Sequence, residues 1–319
     1  MNQFSQNNFE ILYNEFNLRL QKREFEDSLT LIPNLLENAQ TDIDIFYTLM
    51  GKASALTSLN ENEEVVETYD EIIETFKNIN DEAILKFLAY AYYNKALIFA
   101  KTKDYKNELV CYDQLLEKYI ADTSDELEMV LVKTYLNKAI CVNELKNQEN
   151  SILVYKELVK NFENSENKAI LEQVALAAYN IASLYGQIEN NDESIKAYDY
   201  VVSKFENIHN ETIQEFVAKS LVNKAGRLKD LNKNSTALKT YDEVITRFET
   251  STNIILKQVA IALHNKSIIL SQLHKEKELF EVCDKIIEKF SNTDDNMILN
   301  IVSSAQVIKD KEKFNTNSF

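Results

Sequence analysis

Tyr93-Asn94-Lys95-Ala96-Leu97-Ile98-Phe99, followed after a polar break by Cys111-Tyr112-Asp113, is one copy of a phrase that this chain repeats. Two copies further on it reads Tyr179-Asn180-Ile181-Ala182-Ser183-Leu184-Tyr185, with Tyr198 and Asp199. Around this phrase three columns run in register. Tyr69, Tyr112, Tyr155, Tyr198, Tyr241 and Cys283 recur every 43 residues, shortening to 42 at the last step. Ala53, Ala96, Ala139, Ala182, Ala225 and Ser267 keep the same spacing, as do Phe76, Tyr119, Phe162, Phe205, Phe248 and Phe290. Self-similarity at a fixed period marks a repeat array, in which no unit buries its apolar face alone and stacking supplies the core.

Each unit reads as two amphipathic helices. In the fifth, Val217, Leu221, Ala225 and Leu228 fall on one helical stripe, and polar residues 232–235 intervene. Leu238, Tyr241, Val244, Ile245 and Phe248 then make a second stripe. Asn80, Ser124, Ser165, Asn210 and Thr252 stand where N-caps of the long first helices belong. First helices of about 20 residues would be about 30 Å long. The expected fold class is all-α, an α-solenoid of antiparallel helix pairs. The expected organisation is an N-terminal capping helix pair over residues 1–40, six repeats over 41–291, and a C-terminal capping helix with a frayed tail over 292–319.

Composition agrees with this reading. The chain has 319 residues, of which 3 are Gly and 1 is Pro, so helix is interrupted rarely. Lys and Arg number 35 against 51 Asp and Glu, a formal net charge of −16. Such a field repels phosphate backbones and anionic lipid head groups, which argues against nucleic acid and membrane surfaces as partners. The polar opening residues and the absence of about 18 unbroken apolar residues make a cytoplasmic location the expectation. Cys111, Cys141 and Cys283 are widely spaced, without Cys-x-x-Cys, and read as small core residues rather than metal ligands or a disulfide.

Charge along the columns supplies an internal test. Lys95, Lys138, Lys224, Lys266 and Lys309 adjoin the small-residue column or its continuation, a half-buried place where a charge needs a partner. Asp70, Asp113, Asp199, Asp242 and Asp284 precede them by 25, 25, 25, 24 and 25 residues. Where the acid becomes Lys156, the residue 25 later becomes Ile181. This covariation within one chain predicts a ladder of ion pairs between successive repeats, each worth about 1 kcal/mol or less.

The columns resemble the tetratricopeptide repeat, over about residues 41–291. The match is closest where Tyr93 to Phe99 is followed by Tyr112 and where Tyr179 to Tyr185 is followed by Tyr198. The chain departs from that family in lacking its Trp and its terminal Pro, in carrying polar residues such as Lys103 and Asn232 in place of the turn Gly, and in a longer unit. The resemblance implies a right-handed superhelix whose concave face takes protein segments.

No catalytic constellation is present in the sequence. His209, His264 and His274 form no metal-binding pair, and neither a Gly-rich phosphate loop nor a Gly-x-Ser-x-Gly occurs. The expectation is a non-enzymatic protein with no cofactor, no metal site and no catalytic residue. One column asks for a reason. Asn94, Asn137, Asn180, Asn223 and Asn265 stand two residues before the small column, with Gly51 in the first slot, although Asn is a mediocre helix former. In the resembled family the matching position lies on the concave face, where asparagines grip the backbone of an extended peptide. The competing reading is a hydrogen bond between neighbouring repeats. Beside these asparagines stand Tyr93, Leu136, Tyr179, Val222 and His264, and one turn on Leu97, Ile140, Ser183, Gly226 and Ile268, a fairly apolar row. The resulting expectation is a scaffold or adaptor that binds an extended peptide or protein segment. Its alternatives are a self-assembling or edge-binding structural subunit and a peptide-sensing regulatory subunit whose effector is a separate chain.

Overall fold

The computed structural model describes residues 8–79, 81–121, 124–251 and 253–316. Among these residues the chain is helical throughout, with no strand. The N-terminal segment comprises α1 (Asn8–Gln21), α2 (Phe25–Leu29) and α3 (Ile32–Asn38). Five long first helices follow, each with its partner: α4 (Asp42–Leu59) with α5 (Asn62–Phe76), α6 (Glu82–Thr102) with α7 (Tyr105–Tyr119), α8 (Asp125–Glu144) with α9 (Gln148–Phe162), α10 (Lys168–Gln187) with α11 (Asn191–Phe205), and α12 (Glu211–Asp230) with α13 (Asn234–Phe248). The sixth pair is α14 (Asn253–Gln272) with α15 (Glu276–Phe290), and α16 (Asn296–Thr316) closes the chain. Residues 317–319, the end of the expected frayed tail, lie outside the described residues.

Two compact units make up the chain, residues 1–151 and 152–319. In the first, α4 packs on α5, α5 on α6, α6 on α7 and α7 on α8, while the first helices α4, α6 and α8 touch in sequence. In the second, the same zigzag runs from α10 to α16, with α10, α12, α14 and α16 touching in sequence. Short turns between packed helices make the pairs within each unit antiparallel.

The sequence encodes most boundaries locally. Asn210 caps α12, accepting a hydrogen bond from the Ile213 N–H at 3.0 Å. Ser124 holds the N-cap position of α8 without a side-chain cap bond. At α10 the cap is Asn167, which accepts from the Ala169 N–H at 3.0 Å, rather than Ser165. Asp81 caps α6; the neighbouring Asn80, like Thr252, lies outside the described residues. The expected second helix of the N-terminal pair is divided into α2 and α3. Pro33 in the first turn of α3 has no N–H with which to continue a helix from α2.

The columns are the core. Tyr69, Tyr112, Tyr155, Tyr198, Tyr241 and Cys283 are all buried, as are the small residues from Ala53 to Ser267. Ser151 and Ser194 are also buried, and their hydroxyls donate to the carbonyls of Ala139 and Ala182, each at 2.7 Å, tying second helix to first. The equivalent position in α7 holds a buried carboxyl, Glu108. Apolar residues 254–272 of α14 are long and hydrophobic enough to cross a membrane, but half of that stretch is buried, against α12, α13, α15 and α16.

The ion-pair ladder is present at all five expected places. Lys95 meets Asp70 at 2.5 Å, Lys138 meets Asp113 at 2.7 Å, Lys224 meets Asp199 at 2.5 Å, Lys266 meets Asp242 at 2.5 Å and Lys309 meets Asp284 at 3.0 Å. The lysine stems are mostly covered and the aspartates are more than half exposed, so water screens each pair. At the broken rung Ile181 is buried. Lys156 there donates to the Tyr185 hydroxyl at 2.8 Å and sits 5.3 Å from the centre of its ring.

Candidate functional site

The asparagines project from the long first helices two residues before the small residue that touches the second helix, a register that leaves each half-buried. In the first unit Asn94 lies on α6 and Asn137 on the adjacent α8. In the second, Asn180, Asn223 and Asn265 lie on α10, α12 and α14, again neighbours in sequence of packing.

Their amide groups are held by tyrosines. Asn137 donates to the Tyr93 hydroxyl at 3.1 Å, Asn180 to Tyr155 at 3.2 Å and Asn223 to Tyr179 at 2.9 Å. Asn94 and Asn265 stand beside Tyr69 and Tyr241. Burial raises the phenol of each of these two, Tyr241 to about 12, while the neighbouring amide acts in the opposite direction. The Tyr155 phenol is likewise raised by burial against the pull of Asn180. An amide nitrogen anchored in this way fixes the plane of the carboxamide.

The row beside the asparagines is uneven. Tyr93, Tyr179 and His264 are half-buried, and burial lowers the imidazole pKa of His264. Leu136 and Val222 are buried among their neighbours and offer little to a ligand. The Tyr179 ring rests against Phe216 and Tyr198, with centroids 5.8 and 6.0 Å away. One turn further, Leu97 and Ile140 are 37% and 51% exposed, so open apolar surface adjoins Asn94 and Asn137. One turn before Asn94 the exposed Tyr90, which sequence reasoning passed over, extends the same face and donates to the Glu126 carbonyl at 3.1 Å.

Gly51 accounts for the missing asparagine of the first repeat. A Cβ at this position would lie 2.5 Å from Cε1 of Phe16, which is fully buried. The N-terminal helix α1 thus occupies the slot where the row would otherwise continue.

A second feature was only half legible. Lys156 and Ile181 read in sequence as a charge-compensated exception, yet both line a cavity of about 410 Å³ bounded by α9, α10 and α11. Cys111, Cys141 and Cys283 are buried and form no disulfide among the described residues, and burial pushes the Cys141 thiol up to about 12.

No protein-family model matches the chain, and no curated protein matches its sequence. Solved structures do match. The apo form of RapI superposes over 91% of this chain and 78% of its own length, at a TM-score of 0.57 and 13% identity. Aspartyl phosphate phosphatase F from Bacillus subtilis covers 97% of this chain and 80% of its own, at 0.53 and 15%. A tetratricopeptide repeat protein from Parabacteroides merdae aligns over 93% of this chain and 98% of its own, with 12% identity, but its TM-score of 0.45 is too loose to argue from. At such identities the likeness is one of fold and transfers no activity. Together with the small and aromatic columns and the repeated helix pair, it makes this chain a tetratricopeptide-like repeat protein by fold.

Proposed function

We propose that this is a non-enzymatic scaffold or adaptor that holds an extended peptide or protein segment against the asparagine rows of its first helices. One observation carries the reading. The amide nitrogens of Asn137, Asn180 and Asn223 donate to tyrosine hydroxyls, which fixes the plane of each carboxamide on a half-buried face of the first helices. Acceptors fixed in this way at each repeat suit the N–H groups of an extended backbone. Packed helices are about 8 to 10 Å apart, and an extended or polyproline-like segment advances about 9 to 10 Å in three residues. Leu97 and Ile140 would then select apolar side chains between rungs. The net charge of −16 disfavours nucleic acid and anionic membranes as the occupant.

The test is affinity capture from the native cell with the wild type beside a variant carrying Asn137→Ala, Asn180→Ala and Asn223→Ala. The variant should remain as helical as the wild type, since Ala is the better helix former, and should lose its partner. Because Asn180 serves the buried Tyr155 hydroxyl, a companion with Tyr155→Phe added removes the orphaned group. Unchanged capture by either variant, or collapse of both, would assign the asparagines a purely structural role.

A further inference from the structure

The broken rung of the ladder opens a cavity. At the five intact rungs an Asp on a second helix faces a Lys on the next first helix. At the sixth, Lys156 and Ile181 replace both, and the cavity of about 410 Å³ that they line has the volume of a small-molecule site. Val159, Ala178, Ile181 and Ala197 make an apolar floor, with Tyr185 and Tyr200 as walls. The rim is cationic. Lys156 donates to the Tyr185 hydroxyl, lies over its ring and acts on the Glu193 carboxylate from a distance, and neither Lys156 nor Lys160 forms an ion pair among the described residues. The rim's two acids are already engaged: Glu193 with Lys196 at 2.6 Å, and Glu163 with the Tyr200 hydroxyl at 2.5 Å and Lys204 at 3.5 Å.

Two cations that form no ion pair among the described residues, over an apolar floor in a chain of strongly negative net charge, describe a receptor for one negative charge on an apolar body. We infer that this cavity binds a small amphiphilic monocarboxylate, its carboxylate at Lys156 and Lys160 and its apolar body on Val159 and Ile181. A phosphate monoester fits less well, because a dianion would face Glu163 and Glu193 and would need more donors than the two lysines provide. The site is separate from the asparagine row. At roughly 100° per residue, Ala178, Ile181 and Tyr185 leave α10 roughly 100 to 160° around its axis from Asn180. The inference therefore stands or falls independently of peptide capture.

The experiment is titration calorimetry of the full chain with decanoate, and with decylammonium as the apolar cation of matched length. The decisive variant combines Lys156→Asp with Ile181→Lys, which rebuilds the rung found at five other places; circular dichroism checks that it folds. The wild type should bind decanoate saturably at one site and should not bind decylammonium. Affinity for decanoate should fall at least about tenfold in the rebuilt-rung variant, and several-fold in Lys160→Gln, which leaves every helix contact in place. Equal decanoate binding by wild type and rebuilt rung, equal binding of decylammonium, or no binding at millimolar decanoate would overturn the assignment.

Discussion

Glu108 is the residue with the most to lose by being ionised. It is 4% exposed in α7 where Ser151 and Ser194 hold the equivalent places, and burial raises its carboxyl above the ordinary value, with Cys141 and Tyr112 beside it acting the other way. A folded pKa above the unfolded one means that the protonated form is favoured by folding. Its contribution is full below the unfolded value near 4.5 and is lost as pH rises through the folded value. Glu108→Gln, which keeps the shape and a donor, should therefore be nearly neutral in acid and stabilising at neutral pH. Urea melts at both pH values read the difference, and a variant equally stable or weaker at neutral pH would show the carboxylate to be well served where it sits. Nothing in the repeat pattern announced this group, because a Glu near a helix N-terminus reads as solvated until the neighbouring helix is placed over it.

Helix ends and rungs set the next scale. Asn60, Lys103, Lys146, Glu189, Asn232 and His274 end the first helices in the left-handed region, with φ between 53 and 65°, the role that Gly fills in the resembled family. At Glu189 the Asn190 N–H closes back to the Tyr185 carbonyl at 2.9 Å, the bond of a left-handed helix cap. A side chain there costs about 1 kcal/mol relative to Gly, and a carboxylate also opposes the negative end of the helix. Glu189→Gly should raise stability by about 1 kcal/mol, whereas Asn232→Gly should give only a few tenths, Asn tolerating this region well. Matched denaturant midpoints for the two would remove the side-chain explanation. For the ladder, Asp113→Lys should weaken the fold and Lys138→Asp should recover part of the loss, with a coupling of about 0.5 to 1 kcal/mol. Additive effects would mean that the 2.7 Å contact does not hold in solution.

Across the molecule, stability is a sum of repeats and nearest-neighbour interfaces. Tyr241 is 1% exposed, and Tyr241→Ala should cost about 3 to 5 kcal/mol by leaving a cavity between α12, α13 and α14. Hydrogen exchange should show the loss of protection strongest in those three helices and fading toward α10 and α16; a uniform loss would point to one cooperative block. What the sequence by itself determined was whatever repeats. Helix pairing, the buried Tyr and Ala columns and the ion pairs at a separation of 24 or 25 residues follow from periodicity, since a residue's environment recurs with its place in the unit. What only the tertiary structure decided was whatever depends on an exception. Phe16 filling the slot of Gly51, the tyrosine hydroxyls that orient the asparagines, and the cavity beside Lys156 and Ile181 all arise where side chains from separate helices meet in one volume, and the size and openness of that volume are set by packing rather than by period.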